Sequence, residues 1–383
     1  VNGGRVEPVD SDFGGVWQGP YNRRVRAFTA ALALLATSNA AAVETVRIAI
    51  ADGVREITLA GKGLMVRRLQ AGERYAVAPG GRSVVYVSEG RLMLDGAPVV
   101  APDGLKYRSD GFVTVAEQPV RGQIEVRKSG AGLIAINVLG LEDYLAAVLG
   151  SEMPASFPLE ALKAQAVAAR TYAVRRKINA WGKPFHLGNT VLHQVYRGAR
   201  AEDVRTREAV RATSGEVLTY RMEPIEAYFH SACGGRTESG QEALGRGLPY
   251  LRPVECVCQE TLHSDWTLKL RPSDLTSLAS GVKGVKVVER TATGRARRVE
   301  LAAAAGSRAL SAVELRRLVG YDKIKSLAFD SESTRGAITF RGRGYGHGAG
   351  LCQWGARGFA QRGWDYRRIL SHYYSGAELR KMY

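Results

Sequence analysis

Residues 141–178 read LEDYLAAVLG SEMPASFP LEALKAQAVAARTYAVRRKI, and this stretch places two helices around a single acidic residue. Over Leu141–Gly150 the apolar positions Leu141, Leu145, Val148 and Leu149 fall on one helical face. A turn bracketed by Pro154 and Pro158 follows, and Pro158 suits the first position of a second helix, where its missing N–H would be unpaired anyway. That helix, Leu159–Ile178, is Ala-rich and continuous, with Glu160 at its start and Arg175, Arg176 and Lys177 at its end, as the helix dipole prefers. Glu152 stands in the turn, with Met153 and Phe157 as apolar neighbours. Burial against such groups disfavours a carboxylate and raises its pKa, which a general acid needs at neutral pH. The plainer reading is a capping or ion-paired glutamate. Lys163 and Arg170 are seven residues apart, about two helical turns, and so share a face. They form either a solvated face or a pair of cations for anionic or hydroxyl-bearing ligand groups.

Upstream, short runs such as 46–50, 83–87 and 122–126 are rich in Val and Ile and are punctuated by Gly80-Gly81, Asp95-Gly96 and Asp103-Gly104. Downstream, Val204–Arg211 reads as a short helix, 216–220 and 226–229 as strands, Leu310–Leu318 as a helix, Ala337–Phe340 as a strand and Gly355–Tyr373 as helix. The fold class is therefore α+β. A β-rich region over 43–121 precedes a mixed α/β domain over 122–383 that contains the long Ala-rich helix. Residues 1–42 are set apart. Arg23, Arg24 and Arg26, the apolar run Ala27–Thr37 and the small residues Ser38–Ala42 have the order of a secretory signal peptide, which implies export to the cell envelope or beyond. The preceding 22 residues are Gly-rich and polar, open on Val and read as an N-terminal extension.

The chain has 383 residues, 45% hydrophobic and 24% charged, which suits a folded protein of more than one layer or domain. A net charge of +17 predicts attraction to polyanions. No nucleic-acid recognition motif accompanies it, and no stretch reaches the roughly 18–20 apolar residues needed to span a bilayer.

Two further segments carry chemistry. One is YFHSACGG, Tyr228–Gly235; the other is GYGHGAGLCQWGA, Gly344–Ala356. The glycines of the second permit positive φ and close backbone approach to a ligand, while His347, Gln353 and Trp354 offer a ring, an amide and an apolar plate of the kind that meets sugars. No Gly-Lys-Ser/Thr follows, so it is not a phosphate loop. The cysteines are Cys233, Cys256, Cys258 and Cys352. In an exported chain an even count favours two disulfides, whose connectivity is left open. A zinc site built on His230, Cys233, Cys256 and Cys258 is the alternative, but its spacing matches none of the usual zinc patterns.

Taken together, LEDYL, SEMPASFP, ALKAQAVAARTY, Thr190–Tyr196 (TVLHQVY), FHSACGG, GHGAGLCQWGA and His372-Tyr-Tyr closely resemble the SpoIID/LytB (stage II sporulation protein D-like) family, in order, over roughly 122–379. The resemblance implies a lytic transglycosylase of peptidoglycan, acting on the bond between N-acetylmuramic acid and N-acetylglucosamine in peptide-stripped glycan strands. It implies Glu152 as the one catalytic carboxylate. Substrate contacts are then expected from Lys163, Arg170, His193, Tyr228, His230, Ser231, His347, Gln353 and Trp354. Some members bind zinc through a His/Cys cluster after the catalytic helix. Here Lys183–Tyr196 offers His186 and His193 but no cysteine, so neither that metal nor any other cofactor is carried over. The name of the LytB branch, modifier of amidase, implies a rival reading: a non-catalytic glycan binder that stimulates a partner cell-wall amidase.

Overall fold

The computed structural model describes residues 44–70, 74–190, 193–258, 265–334 and 336–383; the signal-peptide reading of 23–42 lies outside the described residues. The fold is α+β, and its N-terminal part is strand-rich. Thr45–Val54 pairs antiparallel with Gly132–Gly140, which pairs in turn with Gln123–Ser129; Leu105–Arg108, Met65–Arg68 and Ala76–Val77 complete that side. Leu187–Gly188 adds a parallel edge strand, making a seven-stranded sheet. A six-stranded sheet built on Glu56–Ala60 and Arg82–Ser88 lies within the same N-terminal region. Alternation of side chains drives this burial: Val46 and Ile48 on one strand, and Ile57 and Leu59 on another, point into one core.

Seven helices are described. They are α1 (Leu141–Glu152), α2 (Leu159–Asn179), α3 (Val204–Ala212), α4 (Gly240–Leu244), α5 (Ala312–Val319), α6 (Gln353–Gln361) and α7 (Tyr366–Tyr373). Helix α1 runs through to Glu152, which is thus its last residue rather than a turn residue, and Pro158 caps α2 instead of opening it. The stretch expected as one helix over 355–373 is two, α6 and α7, broken near Gly363, whose φ is +82°. Helix α2 is the central helix. Thirteen of its residues are buried, among them the small Ala161, Ala164, Ala166, Ala168 and Ala169, which let neighbours approach on several sides.

The hydrophobic cores divide the chain differently from the sequence reading. One core joins both N-terminal sheets to α1, α2, α3, α6 and α7, so a boundary near 121 runs through a continuous sheet and core. A second, separate core is built from Trp266, Val285, Val299, Leu301, Leu315, Phe329, Ile338 and Phe340. It is enclosed by two three-stranded sheets, centred on Ala337–Arg343 and Ala296–Ala303, together with α5. No described helix is long and apolar enough to cross a membrane.

Candidate functional site

Helix α1 ends where the loop 193–197 crosses it, and this junction holds Glu152. Close approach is possible because residue 150 is glycine: a Cβ there would sit 1.8 Å from the Ala201 carbonyl oxygen. The loop is fixed from below. Tyr144 donates its hydroxyl to Gln194 Oε1 at 3.0 Å, Gln194 Nε2 donates to the Ala169 carbonyl at 3.1 Å, and Tyr196 donates to Asn137 Oδ1 at 2.7 Å. The Val195 N–H consequently points at Glu152 and donates to Oε1 at 2.7 Å. Glu152 is half-buried. Desolvation raises its pKa above the ordinary value, opposed by the Val195 N–H, by the Gln353 side chain and by the charge of Arg197. Its seat at the C-terminal end of α1 also disfavours negative charge. Among the described residues no ion pair is formed by Glu152.

The loops YFHSACGG and GYGHGAGLCQWGA are brought side by side. Phe229 and His230 pair in parallel with Leu351 and Cys352, and Ala232 bridges Tyr345. Gly344, Gly346, Gly348 and Gly350 all take positive φ, as the glycine density predicted. Trp354 N–H donates to the Ser231 carbonyl at 3.1 Å, and α6 starts here, so Gln353 and Trp354 project from its first turn. Gln353 is buried, with no hydrogen-bond partner for its Nε2 among the described residues, yet lies near enough to Glu152 to favour the carboxylate. Trp354 meets Phe157, from the turn after Glu152, edge-on at 5.0 Å between ring centroids, and the Arg357 guanidinium lies over both rings. Glu152, Gln353 and Trp354 therefore converge.

Tyr228, His347 and His230, predicted from the sequence, form a second row with Tyr172, which was not. The Tyr172, Tyr228, His347 and His230 rings follow one another at centroid separations of 5.7, 5.9 and 5.3 Å. Both histidines are held internally. His347 Nε2 pairs with the Phe229 carbonyl at 2.9 Å and its Nδ1 accepts from Ala349 N–H, while His230 Nδ1 pairs with the Ala349 carbonyl. Burial lowers the pKa of both, that of His347 to about 4, so both rings are neutral at neutral pH. His193 contacts Arg176 at 2.7 Å, and Arg176 lies over the Tyr172 ring. Ser231 enters the site through its backbone carbonyl.

Two cations expected to meet substrate are committed elsewhere. Arg170 is wholly buried, and all five of its N–H donors are used: two on the Glu142 carboxylate at 2.9 and 2.7 Å, and three on Thr213 Oγ1 and the Glu216 and Val210 carbonyls. Lys163 pairs with Glu160 at 2.7 Å. Seven-residue spacing gave their common face but not the elements that cover it. The cation that the sequence reading overlooked is Arg197, directly after TVLHQVY; it is exposed, acts on Glu152 and forms no ion pair among the described residues. The cysteines form one cluster: among the described residues no disulfide joins them, their sulfurs lie within 4.8 Å of one another, and the fourth member is Cys352 rather than His230. A cavity of about 260 Å³ is lined by Arg176 and His193, a second of about 490 Å³ by Cys233, Trp266 and Arg295, and Glu152 lines neither.

Comparison with known proteins agrees with this arrangement. The family model for stage II sporulation protein matches residues 129–220, the span of α1, Glu152, α2 and the 193–197 loop. A domain of unknown function, DUF8618, matches residues 256–350, which contain the second core. An uncharacterised protein of Brachyspira hyodysenteriae is 32% identical over 304 residues, covering 77% of this chain and 82% of the relative. Stage II sporulation protein D of Bacillus subtilis is 31% identical over 301 residues, 72% of this chain and 83% of the relative. The amidase enhancer of Bacillus subtilis is 31% identical over 290 residues, 61% of this chain but 40% of the relative. These relatives give the chain a cell-wall-related function at the envelope, and with the motif order and the matched span they make it a member of the SpoIID/LytB family.

Proposed function

We propose that the chain is an exported lytic transglycosylase that cleaves peptide-stripped glycan strands of peptidoglycan, with Glu152 as its acid and base. The observation that carries this reading is one half-buried carboxyl with a raised pKa, set between a fixed backbone N–H, the Gln353 amide and an aromatic wall of Phe157 and Trp354. In its protonated form Glu152 donates to the glycosidic oxygen between N-acetylmuramic acid and N-acetylglucosamine as the bond from that oxygen to muramoyl C1 breaks. The carboxylate so formed is stabilised by Val195 N–H and Gln353. It then takes the proton of the muramoyl 6-hydroxyl, whose oxygen bonds to C1 and closes a 1,6-anhydro ring. Glu152 ends protonated as it began, and no water is consumed. Because the nucleophile is internal to the sugar, no second carboxylate at hydrolase spacing is required.

Stripping the stem peptide leaves a lactyl carboxylate on each muramic unit, and the exposed Arg197 supports its recognition beside Glu152. Trp354, with Arg357 on its face, supplies a plate for a sugar ring. The test is incubation of peptide-free strands with the chain and with its Glu152→Gln variant. Release of soluble fragments by the first and not the second is expected. Tight binding without release by both, together with equal stimulation of a cell-wall amidase, would favour the second reading, a glycan-binding amidase enhancer. That reading draws on the relative of this name.

A further inference from the structure

Cys233 follows the strand Phe229–His230, Cys256 and Cys258 sit where the chain leaves the first core, and Cys352 caps α6. Three distant segments thus deliver four buried sulfurs to one point, all within 4.8 Å of one another. An ion at tetrahedral centre with metal–sulfur bonds of about 2.3 Å sets its sulfurs about 3.8 Å apart. Cys233 and Cys258 stand at 3.4 Å, short of that edge and far beyond an S–S bond of about 2.05 Å. An iron–sulfur cluster, with its own sulfides between the ligands, would hold the cysteines further apart.

The surroundings are those of thiolates. Backbone N–H groups of Cys233 and Gly355 point at Cys352 Sγ, and that of Gly235 at Cys258 Sγ, each at 3.3 Å. The Tyr373 hydroxyl reaches Cys256 Sγ at 3.1 Å. Arg295, just before the strand Ala296–Ala303, is buried beside the cluster and donates to the Cys233 and Arg236 carbonyls at 2.7 and 2.9 Å. A divalent ion in four thiolates carries a net charge of minus two, which this cation partly offsets. Residue 355 admits only glycine, since a Cβ would lie 2.2 Å from Cys256 Sγ and 2.0 Å from the Tyr373 oxygen.

We propose that Cys233, Cys256, Cys258 and Cys352 hold one tetrahedral zinc ion in a closed structural site. All four positions are filled by protein, so the ion takes no part in chemistry. It clamps the YFHSACGG loop, the 256–258 segment and the start of α6 together, next to Gln353 and Trp354. It also shields four thiols from oxidation in an oxidising compartment.

The test is metal analysis of the full chain, purified without a histidine tag from zinc-supplied cells. About one zinc per chain and no acid-labile sulfide are expected. Replacement by Co(II) is expected to give the charge-transfer and visible bands of a tetrahedral tetrathiolate. Cys258→Ser is expected to lose most of the zinc or to shift the cobalt bands to those of three sulfurs. If that variant does not fold, the cobalt spectrum of the unaltered chain decides. A metal-free chain with no titratable thiol after non-reducing denaturation would mean two disulfides and would overturn the proposal. So would iron with labile sulfide, or a Cys258→Ser variant that keeps its full zinc and gives unchanged four-sulfur cobalt bands.

Discussion

A carboxyl whose pKa is raised by desolvation binds its proton more tightly in the folded chain than in the unfolded one, and Glu152 is such a group. Its stabilising contribution is fully present below the ordinary glutamate range, about pH 4.3, and is lost as pH rises through the raised value. Glu152→Gln, neutral at every pH, is therefore expected to melt higher than the native chain at neutral pH, with the difference vanishing in acid. Thermal denaturation across pH checks this; a Gln variant less stable at every pH would make Glu152 a structural hydrogen-bond partner. Arg197→Ala is expected to raise KM for stripped strands up to about fivefold while kcat holds, the scale of an exposed ion contact of about 1 kcal/mol. The effect should vanish on strands whose lactyl carboxylates are esterified, and an undiminished effect there would remove Arg197 from carboxylate recognition. Glu152 was singled out through the family resemblance, and Gln353 and Trp354 as an amide and an apolar plate; that the three stand near one another shows only in the fold. Arg197 was not singled out, because nothing in a lone arginine shows that a loop carries it to a carboxyl.

Helix α2 shows what patterning leaves open at the scale of an element. Its length and its ends were readable from charge and alanine content, and the structure places it at Leu159–Asn179. Which face meets substrate was not readable, since nearly every side packs on something. Arg170 illustrates the point: it joins α2 to α1 through Glu142 and to the 210–216 segment through carbonyls. Arg170→Met is expected to cost about 3–5 kcal/mol in denaturant unfolding by leaving Glu142 and the carbonyls without their partner. Glu142→Gln in the same chain should recover part of that loss. A variant with native stability but impaired glycan binding would return Arg170 to the substrate. The break between α6 and α7 was likewise missed, because apolar periodicity continues across Gly363 while the backbone there turns to positive φ.

At the scale of the whole molecule, composition and turn signals gave the α+β class and the strand-rich N-terminal part. The distribution of cores was hidden. Alternating strands look alike whichever core they enter, so the sheet that crosses residue 121 and the separate core of 266–340 emerge only from pairing. The net charge of +17 acts at this scale as well. Binding to stripped, anionic strands is expected to weaken as salt rises from about 0.05 to 0.5 M, where screening shortens to a few ångströms. Binding that is flat with salt, followed by sedimentation, would assign recognition to the aromatic wall alone. The central claim is that Glu152 alone breaks the glycan bond without water. Its most direct measurement is mass spectrometry of fragments released from peptide-free strands in heavy-oxygen water. The account predicts new muramoyl ends that are lighter than reducing ends by one water, free of heavy oxygen, and absent with Glu152→Gln. Reducing ends that carry heavy oxygen would show hydrolysis and contradict it.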